Sequence, residues 1–347
     1  MSRVLVTRRL PRAVIERLEA EHDVDVHRGD AQMPVDEFHS RLAPCDGVVV
    51  LMPDRIDQSA IDAAPKLKVA ANVAVGYDNM DVAYARNRGV ICTNTPDVLS
   101  DAVADFTWAL ILDVTRRLSE GDRLIRAGKW IGWTFEFMIG AGLQGKQLGI
   151  VGGGRIGKAV AARAGAFGMT VAVSSRRDPG WPDAEFMPFD KLLSTSDVVS
   201  LQVPLTADTR HLISKPALMK MKRTAFLVNT TRGPVVDEEA LVWALNEHLL
   251  AGAALDVYER EPDVHRGCWR SRTSCFHRIS AARPWKRARP WPISRWPTCS
   301  PCLPGSRRSL RSDFGPWTSD DGPNGGAEAP PYVRNDDARG TRHKAPH

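Results

Sequence analysis

The sequence lacks any long apolar run and has few cysteines over most of its length. No uninterrupted apolar segment approaches the roughly 18 residues that a membrane-spanning helix needs, which excludes an integral helical membrane protein. The first ten residues, MSRVLVTRRL, contain neither the apolar core nor the cleavage site of a signal peptide. Only Cys45 and Cys92 occur in the first 263 residues, a usage typical of a reduced cytosolic enzyme. We therefore expect a cytoplasmic protein with no membrane partner.

Acidic residues are absent from one long segment near the C-terminus. From Val264 to Ser312 there are 12 Lys and Arg residues and no Asp or Glu, whereas the whole chain has a net charge of +6. The remaining residues therefore carry a net charge of −6. Because the basic character is confined to this segment, the rest of the chain is not expected to bind nucleic acid specifically.

The length and the apolar pattern predict two consecutive α/β domains. The 347 residues suffice for two domains of ordinary size. Short apolar runs alternate with helical patterns, and the alternation begins again at Gly145, which favours right-handed βαβ units and parallel sheets of Rossmann-like or flavodoxin-like type. Between the two units, residues 100–118 predict a long buried helix with Ser100 or Asp101 as its N-cap. The strands of the first unit are predicted at residues 3–7, 47–51, 68–76 and 89–94.

A glycine motif opens the second unit. In GIVGGGRIGKAV, Gly152, Gly154 and Gly157 follow an apolar strand and precede an Ala-rich helix. This context predicts a dinucleotide site: the first glycine allows a tight turn, the second lets the backbone approach a pyrophosphate, and the third lets helix and strand pack closely. Arg155 and Ile156 belong to the helix N-terminus that would face the phosphates. The alternative is a glycine-rich turn with a purely structural role.

The next strand ends without the acidic residue that an NAD site usually carries about 20 residues after the glycine motif. Ser175, Arg176 and Arg177 stand there instead. Arginine can bind a 2′-phosphate through a bidentate fork, whereas an acid would repel it. The pattern favours NADP over NAD, and the alternative is that these arginines only face solvent.

Seven motifs follow one another in a recognisable order within residues 3–263. They are VGYDNMD (75–81), VLSDAVADFTWALIL (98–112), GKWIGW (128–133), the glycine motif, LQVPLT (201–206), NTTRG (229–233) and ALDVYEREP (254–262). In these motifs the sequence resembles the D-isomer-specific 2-hydroxyacid dehydrogenases, and most closely their glyoxylate and hydroxypyruvate reductase branch. The resemblance implies NADPH-dependent reduction of a small 2-oxo acid to the D-2-hydroxy acid, and it implies no metal.

The resemblance also assigns roles to individual residues. Arg232 would hold the carboxylate and carbonyl oxygen of the substrate, and the backbone amides of Val75 and Gly76 would hold the same carboxylate. Glu261 would raise the pKa of a catalytic histidine and orient it. The alternatives are a surface or capping role for the arginine and a solvated glutamate. Further cofactor-binding positions implied by the resemblance are Pro204, Thr230, Thr231 and Asp256.

The same resemblance implies a domain organisation and an assembly. Residues 1–98 would form a discontinuous substrate domain and residues 99–264 the dinucleotide-binding domain. Residues 101–118 and the GKWIGW segment resemble an intersubunit arm, which predicts a homodimer. The alternative is that the helix is buried within its own chain. Residues 265–347 lack periodicity and are expected to form an aberrant tail, disordered from Gly305 onwards.

The resembling enzymes carry a Pro-His-Ile-Gly-Ser-Ala-Thr segment after the glutamate, and this sequence does not. Arg278, Ile279 and Ser280 stand at that place. With permitted codons for residues 276–287, reading from the third base yields Pro-Pro-His-Ile-Gly-Ser-Ala-Thr-Val-Glu-Thr. We therefore interpret the tail after about residue 264 as a shifted reading frame that replaces the end of the dinucleotide domain and the return helix of the substrate domain. We therefore expect the activity of the chain to be impaired, and His277 is assigned no role.

The tail allows two other interpretations, and each has little support. Cys299 and Cys302 resemble half a zinc site, but no second ligand pair has suitable spacing. The mixture of arginine and tryptophan resembles a surface for single-stranded nucleic acid, but no folded platform is evident. A different class of function is a catalytically dead nucleotide-binding remnant whose basic tail binds polyanions.

Overall fold

Two parallel β-sheets with helices between their strands form the framework of the protein. The computed structural model describes residues 1–267 and the strand Ser274–Phe276. All strand pairs in both sheets are parallel, which confirms the predicted α/β fold class. None of the helices in the described part of the chain is long and apolar enough to cross a membrane.

The first sheet has five strands in the order β2-β1-β3-β4-β5. Its core consists of strand residues such as Leu5, Val48 and Ala70 packed against helix residues such as Phe38 and Leu42. The strands are β1 (Arg3–Val6), β2 (Asp23–Val26), β3 (Gly47–Val50), β4 (Val69–Asn72) and β5 (Ile91–Thr93), and the helices are α1 (Arg12–Glu19), α2 (Val35–Leu42), α3 (Gln58–Asp62) and α4 (Val82–Asn87).

The second sheet has seven strands in the order β12-β11-β10-β9-β6-β7-β8. The strands are β6 (Gln147–Val151), β7 (Thr170–Ser174), β8 (Ala184–Phe186), β9 (Val198–Leu201), β10 (Phe226–Asn229), β11 (Gly252–Leu255) and β12 (Ser274–Phe276). The helices are α5 (Ser100–Arg116), α6 (Leu118–Arg126), α7 (Arg155–Ala164), α8 (Phe189–Thr195), α9 (Lys215–Lys220) and α10 (Glu238–Asn246), with 3-10 turns at Gly165–Phe167 and Gly233–Val235. The chain runs from β6 to β7 on one side and returns to β9 on the other, so the strand order reverses beside β6. Ligands of open parallel sheets bind at the carboxyl ends of strands at such a reversal.

The long helix predicted between the two units is buried against the second sheet. Its Trp108 donates a hydrogen bond from Nε1 to the Val160 carbonyl of α7 (2.9 Å) and stacks on Phe167 with ring centroids 4.4 Å apart. Ala104 and Ile111 of the same helix are fully buried. Much of this helix is therefore packed within its own chain, while Phe106 and Leu112 stay partly exposed and Ala109 is exposed, so the dimer stays a prediction.

Several local predictions need correction. Helix α5 is preceded by Leu99 at the N-cap, with no side-chain cap hydrogen bond, so neither Ser100 nor Asp101 caps it. The periodicity predicted no strand after residue 264, yet β12 lies at 274–276 and pairs with β11. The short strands β2 and β8 were not predicted either. The expected disorder from Gly305 onwards and the Cys299–Cys302 pair lie outside the described residues, and the domain boundary after residue 98 stays a prediction.

Candidate active site

The glycine motif forms a turn directly after β6, at the reversal of strand order. Gly152 has φ +118°, a conformation that other residues rarely adopt. A Cβ on Gly152 would collide with the Gln202 carbonyl, and one on Gly157 would collide with the Gly152 oxygen and crowd Ile150. The Gly152 N–H donates to the Ser174 carbonyl of β7 (2.8 Å). Two of the three glycines are therefore required by the close approach of strand, turn and helix.

The remaining glycine of the motif leaves open space at the start of α7. Gly154 is the N-cap of this helix, and a Cβ there would meet no atom within 4 Å. As the N-cap residue, Gly154 supplies no side-chain hydrogen bond to the first turn of α7. Unsatisfied N–H groups at a helix N-terminus favour anions, so the residues present fit a dinucleotide pyrophosphate. Arg155 forms an exposed ion pair with Asp97 (2.9 Å), and Ile156 is half-buried.

The residues predicted to select NADP follow the end of β7. Ser175 Oγ donates to the Arg177 carbonyl (2.5 Å), which shapes the loop. Arg176 and Arg177 are both exposed, and within the described part of the chain neither forms an ion pair. The neighbouring acid, Asp178, accepts a hydrogen bond from the Gly180 N–H within its own turn (2.9 Å). The start of this loop therefore presents two guanidinium groups to solvent, next to one carboxylate, Asp178.

The other predicted cofactor residues lie near the carboxyl ends of β9, β10 and β11. Thr230 is half-buried, with its hydroxyl 3.0 Å from that of Thr107 in α5. Thr231 donates from its hydroxyl to Asn229 Oδ1 (2.8 Å). Asp256 is buried directly after β11. Pro204 is exposed, and its carbonyl accepts a hydrogen bond from Thr209.

Arg232 stands at the turn after β10 and reaches the first sheet. Its Nε donates to Asp78 Oδ1 (2.9 Å), and its Nη1 donates to the Thr231 carbonyl (2.8 Å). Its Nη2 lies so close to Gly76 that any Cβ there would overlap it. The structure therefore brings Arg232 together with the loop that carries Val75 and Gly76, although 156 positions of sequence separate Arg232 from Gly76.

The loop at Val75 and Gly76 is held by asparagine side chains. Asn72 Nδ2 donates to the Gly76 carbonyl (2.9 Å), and Asn94 Nδ2 donates to the Val75 carbonyl (2.8 Å). Both carbonyls are thus satisfied within the protein. Among residues 1–267, no hydrogen bond occupies the N–H of Val75 or of Gly76. These two N–H groups are available to an anion that also contacts Arg232.

Glu261 lies in a loop that packs against the turn after Arg232. A Cβ on Gly233 would overlap the carbonyl group of Tyr258 and the nitrogen of Glu259, so the two segments touch. Glu261 Oε1 accepts a hydrogen bond from the Tyr258 N–H (3.0 Å). Buried Glu238 supports the same loop by accepting from the Glu259 N–H (2.6 Å), and burial raises the pKa of the Glu238 carboxyl.

Two features near the site were not identified from the sequence. Asp78, the partner of Arg232, lies within the VGYDNMD motif, but an acid in a polar loop carries no signal of its own. His211 Nε2 lies 2.7 Å from Glu259 Oε1, and this pair joins a loop after β9 to the segment after β11. Only knowledge of the sheet order would have brought these residues together. In the described part of the chain, no cluster of three potential ligands could hold a metal ion.

Comparison with protein families and curated proteins relates the chain to known enzymes. Residues 108–277 match the family model described as D-isomer specific 2-hydroxyacid dehydrogenase, NAD binding domain. The glyoxylate reductase of Korarchaeum cryptofilum (strain OPF8) is 47% identical over 265 residues, which cover 75% of this chain and 80% of that protein. The glyoxylate reductase of Thermococcus onnurineus (strain NA1) is 46% identical over 271 residues, covering 76% and 81%.

Solved structures show the same likeness. The TT0316 protein from Thermus thermophilus is 44% identical, with a TM-score of 0.76, and the match covers 81% of this chain and 90% of that one. An NADPH-dependent glyoxylate/hydroxypyruvate reductase from Sinorhizobium meliloti, solved with NADP and malonate, is 32% identical. Its TM-score is 0.73, and the match covers 82% of this chain and 88% of that one.

Proposed function

The chain belongs to the D-isomer specific 2-hydroxyacid dehydrogenase family, and on this premise we propose that it uses NADPH to reduce glyoxylate or hydroxypyruvate to the corresponding D-2-hydroxy acid. Membership makes the chain an NAD(P)-dependent oxidoreductase. The choice of cofactor, the substrate and the residue roles given below are parts of the proposal.

The observation that carries the proposal is the position of Arg232. Its guanidinium reaches from the second sheet to the Val75–Gly76 loop of the first, where two N–H groups are free of protein acceptors in the described chain. A 2-oxo acid has a carboxylate next to its carbonyl group, so one cation and two nearby N–H donors suit it. The substrate would thus bind between the two sheets and contact both.

NADPH is favoured by the charges after β7. Arg176 and Arg177 are exposed and outnumber the neighbouring Asp178, so a 2′-phosphate would meet net positive charge there. The pyrophosphate would lie at the N-terminus of α7, where Gly154 leaves room and supplies no side-chain hydrogen bond. Thr230, Thr231, Pro204 and Asp256 lie at the same edge of the sheet and would line the rest of the cofactor site.

The reaction assigns a separate task to each group of the site. When bound, the reduced nicotinamide supplies a hydride to the carbonyl carbon of the substrate. Arg232 and the N–H groups of Val75 and Gly76 hold the carboxylate, and Arg232 stabilises the negative charge that develops on the carbonyl oxygen. The resulting alkoxide needs a proton, and Glu261 would hold the general acid that delivers it.

The general acid is the group that this sequence lacks at the expected place. The family resemblance places a histidine after Glu261, where this sequence has Arg278, Ile279 and Ser280. A positioned general acid contributes roughly 10²- to 10⁴-fold to a rate. We therefore propose that the chain binds cofactor and substrate but turns over slowly. A nucleotide-binding protein without turnover is the competing outcome.

A homodimer and a cytoplasmic location complete the proposal. The dimer contact would involve residues 101–118, where Phe106 and Leu112 are only partly buried, together with the GKWIGW segment after α6. Trp130, Ile131, Trp133 and Phe135 are 57%, 87%, 81% and 84% exposed, and a cluster of large apolar side chains in water favours a partner surface. A cytoplasmic location is proposed from the low cysteine usage of residues 1–263, which contain only Cys45 and Cys92.

The test has two stages on the purified chain. The first is a titration with NADPH, followed by titration of the complex with oxamate, an unreactive analogue of glyoxylate. The second follows NADPH consumption with glyoxylate. We expect binding in both titrations and slow consumption, and we expect Arg232→Ala to weaken oxamate binding while it retains NADPH binding. A chain that binds NADPH but not oxamate would refute the proposed substrate.

A further inference from the structure

The guanidinium of Arg232 is oriented by two hydrogen bonds inside the protein. Nε donates to Asp78 Oδ1 and Nη1 to the Thr231 carbonyl, which leaves Nη2 against Gly76. A planar group held at two of its three nitrogens cannot rotate freely. The Asp78 contact is therefore part of what aims the third nitrogen at the Gly76 loop.

Asp78 itself is fixed by its surroundings. The adjacent Asn79 donates from Nδ2 to the carbonyls of Leu51 (3.3 Å) and Asp54 (2.9 Å) and accepts from Asn72 (3.0 Å). These contacts anchor the loop to the ends of β3 and β4. An aspartate on an anchored loop can hold an arginine in one geometry, whereas one on a loose loop would follow the arginine.

The pair is also partly shielded from water. The side chains of Arg232 and Asp78 are 20% and 29% exposed, whereas those of the surface pair Asp62 with Arg88 are 50% and 47% exposed. Solvent weakens exposed pairs, so the shielded pair has the stronger influence on geometry. Its two members also come from different sheets, at the place where the substrate would bind.

We propose that Asp78 is a positioning residue that orients Arg232 for the substrate carboxylate. This inference rests on the proposed function, because it assumes that Arg232 binds a 2-oxo acid. Asp78 occupies Nε from the first sheet, so the guanidinium presents Nη2 to the loop that supplies the two N–H donors. Arg232 with no acid at position 78 keeps its charge but loses this orientation.

The test uses three full-length variants. Asp78→Ala removes both the charge and the acceptor, while Asp78→Asn keeps an oxygen acceptor without the charge. Asp62→Ala is the matched control, because it removes an acid from an Arg pair of the same sheet away from the site. For each variant we would measure oxamate affinity in the NADPH complex, NADPH affinity and thermal stability.

We expect Asp78→Ala to weaken oxamate binding about tenfold, the scale of a lost charge-assisted contact, and Asp78→Asn to weaken it less. NADPH affinity should remain at the wild-type value and the variants should stay folded at the assay temperature, although loss of the partly buried pair lowers their thermal stability. If NADPH binding falls together with oxamate binding, or if oxamate affinity is unchanged, Asp78 has no positioning role.

A second readout needs no ligand. Phenylglyoxal modifies accessible arginines, and peptide mass spectrometry identifies the site. Arg232 should react several times faster in Asp78→Ala, and Arg88 should do so in Asp62→Ala. An unchanged reaction rate at Arg232 would overturn the inference. If Arg232 depends on Asp78 but the wild-type chain does not bind oxamate, the pairing is supported and the proposed function is the part that fails.

Discussion

The glycine at position 76 offers the sharpest perturbation of the substrate site. Gly76 lacks a left-handed φ, so alanine fits its backbone. The new Cβ would overlap Nη2 of Arg232, and it would lie 2.9 Å from Cζ and 3.1 Å from Asp78 Oδ1. The overlapping atoms are at the far end of a side chain, so the arginine can move aside by giving up its hydrogen bonds to Asp78 and Thr231. Gly76→Ala therefore displaces Arg232 and leaves the fold intact.

The expected loss of oxamate affinity is larger than the expected loss of stability. Each hydrogen bond to a charged group contributes about 1.5–3 kcal/mol, and every 1.4 kcal/mol is about a factor of ten in affinity. Loss of the Arg232 contact should therefore weaken oxamate binding by about 10- to 150-fold. The free energy of unfolding should fall by no more than about 1–3 kcal/mol, the contribution of the Asp78 contact that the displaced arginine gives up, and the restriction that alanine places on the unfolded chain offsets part of this loss.

The assay is oxamate titration of the NADPH complex, with thermal unfolding measured in parallel. Gly165→Ala is the matched control, because its backbone is helical (φ −59°) and a Cβ there meets no atom within 4 Å. It should bind oxamate like the wild type. If Gly76→Ala acts through the arginine, adding it to Arg232→Ala should weaken binding no further. Oxamate affinity within about twofold of wild type in Gly76→Ala would refute the reasoning.

Three further predictions concern cofactor, assembly and pH. NADPH should bind more tightly than NADH because of Arg176 and Arg177, and the gap should shrink with added salt; equal affinities at low ionic strength would contradict this. The chain should sediment as a dimer at micromolar concentration, and Trp133→Ser together with Phe135→Ser should shift it towards monomer; a wild-type monomer would refute the proposed contact. The hydrogen bond from Arg41 lowers the pKa of Asp25 below its ordinary value of 3.8, so the pair stabilises the fold above that pH and the stabilisation is lost as pH falls through the lowered pKa. Asp25→Asn should thus cost about 1–2 kcal/mol at neutral pH and progressively less in acid, as measured by denaturant unfolding; a cost independent of pH would contradict the assignment.

The glycine turn could be predicted from the sequence because its chemistry is local. Gly152, Gly154 and Gly157 stand at fixed spacing between a strand and a helix, and their tasks follow from backbone geometry alone. The pairing of Arg232 with Gly76 is different. It depends on how two sheets pack, so it followed only from the family resemblance.

Other features had weak or misleading local signals. Strand β2 reads Asp-Val-Asp-Val immediately after a helix, and so short an edge strand carries little apolar pattern. Ser100 and Asp101 are good capping residues by type, but the helix includes them and begins after Leu99. Asp78 was missed because the role of an acid depends on its partner, which lies 154 positions away.

The most direct test of the account compares two chains in one assay. One has the present sequence, and the other carries the alternative reading of the segment after residue 264, which restores Pro-His-Ile-Gly-Ser-Ala-Thr. Both should bind NADPH, and the restored chain should consume it with glyoxylate roughly 10²- to 10⁴-fold faster, the usual contribution of a general acid. If the present chain matches the restored one within about tenfold, the missing histidine does not limit the reaction and His277 becomes the residue to substitute.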